Sequence, residues 1–112
     1  MSLLNDEWRQ LLADYRAYHD NPICEATHVV GIPMIMASLP AMIVPPVGLS
    51  LFTTGWALQF VGHWFQGNPP KFFGDRRNLA VGAIWWVDTA LRPTGLNTRL
   101  FGEPIPPSPS AA

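Results

Sequence analysis

Three histidines carry the only imidazoles in this 112-residue chain, and each stands where apolar sequence meets polar sequence. His19 and His28 lie in "YHDNPICEATHVVGIP", and His63 lies in "QFVGHWFQGNPPKFF". Neutral imidazole suits zinc, copper and iron. Three of them are enough to hold one ion if the fold brings them together. Oxygen donors near the same stretches are Asp20, Glu25 and Asp75. Taken singly, a histidine near a helix end often only hydrogen-bonds a carbonyl. The pattern lacks a tight ligand spacing such as HExxH, and the chain has no P-loop, GxSxG or CxxC motif. With Cys24 as the only cysteine, no intrachain disulfide is possible.

What must position these residues is a chain poor in charge. Charged residues make up 13%, about half the share usual for a soluble domain. From Ala26 to Pro70 there are 45 residues without Asp, Glu, Lys or Arg. A crossing of a bilayer takes about 20 apolar residues, so this run has room for two crossings and a turn. The expected fold is all-α. It is a small membrane helical bundle with an N-terminal amphipathic helix, a kinked transmembrane hairpin and a third short membrane helix. Residues 1–95 form the single membrane-embedded domain, and 96–112 a Pro/Ser-rich tail expected to be disordered.

The amphipathic helix is read over residues 4–19, from Leu4, Trp8, Leu11, Leu12, Tyr15 and Tyr18 at helical spacing, with Asn5 or Ser2 to cap it. Its mixed charges do not read as a signal peptide. Pro22 ends that helix by forcing Asn21 out of the α region. A second helix is expected from about Glu25 to Val44, kinked at Pro33 and Pro40. "VPPVG" makes the turn, and a third helix runs from about Leu49 to Phe65. A shorter segment spans 78–93. Its apolar part is too short to cross unaided, and Asp88 follows it, with Arg92 one turn on as the expected partner.

His28 and His63 are each about 17 residues from the Pro45–Pro46 bond. In an antiparallel hairpin both stand about 25 Å from the turn, at one height. His19 is a short loop away, so all three histidines can converge at one end of the bundle. Gln59, one turn before His63 on the same face, is a candidate to orient it. Arg9, Arg16, Lys71, Arg76 and Arg77 flank the histidine end, against Arg92 and Arg99 after the last segment. This bias puts the metal site of an integral membrane protein on the cytoplasmic side.

Other features have plainer readings. Trp56, Trp64, Trp85 and Trp86 fit packing or interfacial belts, Gly55 and Gly62 fit close helix approach, and Met34 and Met36 fit the core. Cys24 reads as a small buried thiol rather than a ligand. A net charge of −1 with no basic stripe argues against nucleic acid.

At the histidine motifs the sequence resembles a known family. "HDNPICEATHVVGIP" is similar to H-x-N-P-x-N-x-x-x-H-x-x-x-x-P, and "LQFVGHWFQGNPPKFF" to Q-F-x-G-H-x-x-E-G-x-x-P-x-F-F. Both patterns belong to the Mpo-like family, and the resemblance covers roughly residues 5–95. It implies a membrane-bound, iron(II)-dependent dioxygenase that carries out α-oxidation of 2-hydroxy fatty acids to a shortened aldehyde. His19, His28 and His63 would be the iron-site histidines, with Asp75 a further candidate ligand. Asn21, Gln59 and Gln66 would support the ligands by hydrogen bonds. The implied partners are the 2-hydroxy fatty acid, O₂ and membrane lipids. Two positions depart from the pattern. Cys24 stands in place of Asn, and Gln66 in place of Glu, where an amide can still hydrogen-bond.

Two other functions remain open at this point. One is a non-enzymatic membrane interaction or scaffold protein with a structural metal or none. The other is a small transporter, which the clustering of histidines at one end rather than at the midplane disfavours. Nothing in the sequence assigns an oligomeric state.

Overall fold

A computed structural model describes residues 2–109. Five α-helices and two short 3₁₀ turns account for its order, and there is no strand among the described residues. The helices are α1 (Asp6–Tyr18), α2 (Pro22–Ala41), α3 (Pro45–Gln66), α4 (Asn78–Leu91) and α5 (Leu96–Phe101). The chain divides into two units. One is His19–Pro70, holding α2 and α3. The other combines the chain before His19 with the chain after Pro70.

In the His19–Pro70 unit, Asn21 caps α2. Its side-chain oxygen accepts hydrogen bonds from the Ile23 N–H (2.9 Å) and the Cys24 N–H (3.4 Å), and Pro22 opens the first turn, where its missing donor costs nothing. The helix therefore starts three residues earlier than the sequence suggests. It ends at Ala41, and Pro33 and Pro40 both lie within it. Val44 is the N-cap residue of α3, with prolines at its first positions, and Gly67 ends that helix in the left-handed conformation (φ 85°).

The two helices are antiparallel and meet along a seam of small residues. Gly48, Gly55 and Gly62 recur every seven residues on α3 and are all buried. A Cβ on Gly55 would lie 2.7 Å from Ile35 Cγ1 and 3.0 Å from the Gly31 carbonyl oxygen. One on Gly62 would run into Thr27 Oγ1 and come within 3.2 Å of Cys24 Cα, and one on Gly48 would be 2.8 Å from Met42 Cα. On the α2 side the seam is Cys24, His28, Gly31 and Ser38, all buried. Apart from Ile35, many of the large apolar side chains point away from it. Val30, Met36, Leu39, Leu49, Phe60, Val61 and Trp64 are exposed. This is the arrangement of helices that pack through small residues rather than through a stripe of large apolar ones.

α2 is the one helix among the described residues long and apolar enough to cross a membrane. The sequence reading expected two crossings and a short third. α3 has 22 residues and no charge, but its glycines, threonines, Gln59 and His63 lower its apolarity below that of a spanning segment. An uncharged run is not the same as an apolar one. α4 has 14 residues, about 21 Å of helix, short of a hydrocarbon core about 30 Å thick.

In the other unit α1 starts after Asn5, whose side chain accepts the Trp8 N–H at 3.0 Å, so Leu4 stays outside the helix. α1 packs on α4, with the Tyr15 and Trp85 rings 5.8 Å apart between centroids. Asp88 on α4 is fully buried. It takes hydrogen bonds from Arg16 (Nη2 to Oδ1 2.7 Å, Nε to Oδ2 3.2 Å), from Asn97 Nδ2 (3.2 Å) and, more weakly, from Arg92 Nη2 (3.5 Å). The residues that the sequence assigns to the start of a tail thus include a helix, α5, which ties back to α4 through Asn97. Further on, Ser108 Oγ donates to Asp14 Oδ2 at 2.9 Å, and the Glu103 carbonyl accepts from Arg9 Nη2 at 2.8 Å. The end of the tail, 110–112, is outside the described residues.

Two outcomes follow for unfolding of the purified protein. Gly55→Ala forces a backbone-limited contact at the seam and should destabilise by about 1–3 kcal/mol. Asp88→Ala strands the guanidinium of Arg16 and should cost about 3 kcal/mol, whereas Arg92→Ala, half-exposed at 3.5 Å, should cost under about 1 kcal/mol.

Candidate metal centre

The α2–α3 seam determines where the histidines stand. His28 is on the seam face of α2, and His63 follows Gly62, the glycine that lets α3 reach α2 at this level. His19 arrives from the loop before α2. All three are buried, at 3%, 2% and 4% exposure for His19, His28 and His63. His63 Nε2 is 3.1 Å from His19 Nε2 and 3.2 Å from His28 Nε2. The three rings meet edge to face in every pair, with centroids 4.6–4.9 Å apart.

Two of the rings are oriented by their other nitrogen. His28 Nδ1 is 2.7 Å from the Cys24 carbonyl oxygen, which can only accept, so Nδ1 carries the proton and Nε2 presents its lone pair. His63 Nδ1 donates likewise to Asn68 Oδ1 at 2.9 Å. Two lone pairs facing each other at 3.2 Å repel unless a cation lies between them. Nitrogens each about 2.1 Å from one ion, at angles between octahedral and tetrahedral, are about 3.0–3.4 Å apart. The observed separations fall in that interval. The donor set suits a transition ion such as zinc, iron or copper and does not suit calcium or magnesium, which take oxygen. Among the described residues the side chains close enough to share an ion are His19, Cys24, His28 and His63, with ligand atoms within 4.8 Å of one another.

The remaining candidates are placed as follows. Asn21 and Gln66 stand beside the site as an N-cap and its clasp: Gln66 Oε1 accepts the Asn21 N–H at 2.7 Å, and Gln66 Nε2 donates to Asp20 Oδ1 at 2.5 Å. Gln59 does not reach His63. It donates to the Gly55 carbonyl (3.2 Å) and the Thr27 carbonyl (3.4 Å), joining α3 to α2. A helical side chain four residues back lies nearest its own preceding turn and the facing helix, and here that geometry takes it away from the ring. Asp75 belongs to the other unit. Both its oxygens accept from Arg77, which also pairs with Glu7, and the Arg77 hydrogen bonds hold the Asp75 carboxyl below the usual carboxylate range. Cys24, read from sequence as a buried thiol, is fully buried, with Sγ 3.8 Å from His28 Nδ1. Asn68 escapes sequence reasoning because it lies in a loop. Its signal is Gly67, whose left-handed turn returns the chain over the last turn of α3, where the Asn68 N–H donates to the His63 carbonyl at 3.2 Å.

Asn68→Ala should weaken metal binding by about 10- to 100-fold, the usual effect of removing a hydrogen bond that orients a ligand. Gln59→Leu, which touches no ring, should instead lower stability by about 1 kcal/mol with little change in metal affinity. Chelator competition and thermal unfolding on both variants check this contrast.

No curated protein and no solved structure matches the chain. A family model does, over residues 6–93, which takes in all three histidines. By that match the chain belongs to the 2-hydroxy-palmitic acid dioxygenase Mpo1-like family.

Proposed function

We propose that the chain is a membrane-embedded, iron(II)-dependent dioxygenase that oxidises 2-hydroxy fatty acids to aldehydes one carbon shorter. The observation that carries this reading is the convergence of three buried histidines, with Nε2 separations of 3.1 and 3.2 Å, in a chain of this family. His19, His28 and His63 would hold the ion through Nε2. Iron(II), when bound, supplies coordination positions for O₂ and for the oxygens of a hydroxy acid.

The rest falls to this chain's own residues. The Cys24 carbonyl and Asn68 keep two rings in the tautomer and orientation that aim Nε2 inward. Asp20, the nearest acid in sequence to a histidine ligand, is engaged by Gln66. Three histidines, each offering one ring nitrogen, would leave the ion's remaining positions for substrate and O₂. The exposed apolar surface next to the centre, with Val29 and Val30 on α2 and Phe60 and Val61 on α3, suits a fatty chain and surrounding lipid. The polar head of such a substrate would have to reach the ion while its chain stays in apolar surroundings. We take the Lys and Arg that flank the histidine motifs in the sequence as the support for a cytoplasmic site.

Cys24 favours a second reading. Three histidines and a thiolate would close a tetrahedral zinc site, and a closed site is structural. Metal content of protein purified without a histidine tag, together with turnover of 2-hydroxy and unsubstituted fatty acids, separates the two. The proposal expects about one iron per chain, O₂-dependent loss of 2-hydroxy acid only, and loss of both iron and turnover in His63→Gln. Tightly held zinc with no turnover after iron loading would establish the structural site instead.

A further inference from the structure

The side chain of Gln66 makes two hydrogen bonds that use both ends of its amide. Oε1 accepts the Asn21 N–H at 2.7 Å, and Nε2 donates to Asp20 Oδ1 at 2.5 Å. A third bond runs the same way, from Asn21 Nδ2 to the Phe65 carbonyl at 3.5 Å. These bonds fasten the two residues after His19 to the last turn of α3, which begins at His63. His19 is neither in α2 nor in α3. Its 3.1 Å approach to His63 therefore depends on how that short loop is held.

We propose that Gln66 is the positioning residue for His19, and that its carboxamide is required because it must accept from the Asn21 N–H and donate to the Asp20 carboxylate at once. This deepens the function proposed above and rests on the three-histidine centre. A glutamate at 66 could still accept from Asn21, but it would set one carboxylate against another at 2.5 Å. The clasp also keeps the Asp20 carboxylate turned to Gln66. Released, that carboxylate is the donor best placed by sequence to crowd the ion, being next to a ligand. The residue pair at 20 and 66 would then have to change together: a carboxylate at one position calls for a hydrogen-bond donor at the other.

The test is a charge-swap rescue read on the metal site itself. Wild type, Gln66→Glu, Gln66→Met and the double variant Asp20→Asn with Gln66→Glu are loaded with Co(II), and both affinity and the ligand-field absorption spectrum are recorded. Gln66→Glu should bind Co(II) about tenfold more weakly, the scale of one hydrogen bond to a charged group replaced by repulsion, with an altered spectrum. Gln66→Met, which loses both bonds without adding charge, should fall between it and wild type. The double variant should recover most of the affinity and the wild-type spectrum, because an amide at 20 can donate to a carboxylate at 66. A general loss of packing would not be rescued by a second substitution on the exposed Asp20. Wild-type affinity and spectrum in Gln66→Glu, or a double variant as impaired as the single one, would overturn the inference while leaving the centre intact. A wild-type protein that binds no Co(II), Zn(II) or Fe(II) would overturn the centre and this inference with it.

Discussion

The glycine seam between α2 and α3 is the constraint on which the site depends. Gly31 and Gly55 bring the two backbones so close that a Cβ on either would lie about 3 Å from the other's carbonyl oxygen. Gly62 does the same against Cys24 and Thr27, one residue before His63. At a more usual helix separation the His28 and His63 rings would not meet tip to tip. The seam lacks the large apolar side chains that drive helices together in water. Close backbone packing and the carbonyl-bound Gln59 amide are left to hold it, and an ion at the three histidines would add to them.

That economy explains where the apolar residues are. The inner face of the pair is taken by glycine, serine, cysteine and histidine, so valine, leucine, phenylalanine and tryptophan are left to face outward. In water such an envelope would be a liability. Against lipid it would be the ordinary exterior of a helix pair, and it would leave the polar interior with its three histidines within reach of an apolar chain. The same feature accounts for the uncharged run from Ala26 to Pro70.

Much of this was legible in the sequence, for identifiable reasons. His28 and His63 meet as their spacing suggests because α2 and α3 are continuous and antiparallel, although the turn falls at 42–44 and Pro45 and Pro46, read as the turn, instead open α3. The break after α1 was legible in Pro22, whereas α2 begins at Pro22 itself, three residues before the expected Glu25, because the Asn21 side chain caps it. What was not legible is what depends on distant partners. Asp88 finds Arg16, 72 residues away, at 2.7 Å, while the Arg92 expected from helical spacing is its weakest contact. Gln59 shares a helix face with His63 yet is drawn to carbonyls of Gly55 and Thr27. Asn68 orients His63 from a loop whose path is set by the left-handed Gly67, and loop paths carry no periodicity to read. Absence of charge did not make α3 a spanning segment by composition: among the described helices only α2 is both long and apolar enough.

Whether His19, His28 and His63 share one ion can be read by X-ray absorption at the iron edge of the reduced, loaded protein. The expected spectrum has nitrogen and oxygen only near 2.1 Å, with the more distant scattering of three imidazoles, falling to two in His19→Ala. A shell containing sulfur near 2.3 Å, or one with the scattering of fewer than three imidazoles in the intact protein, would contradict it.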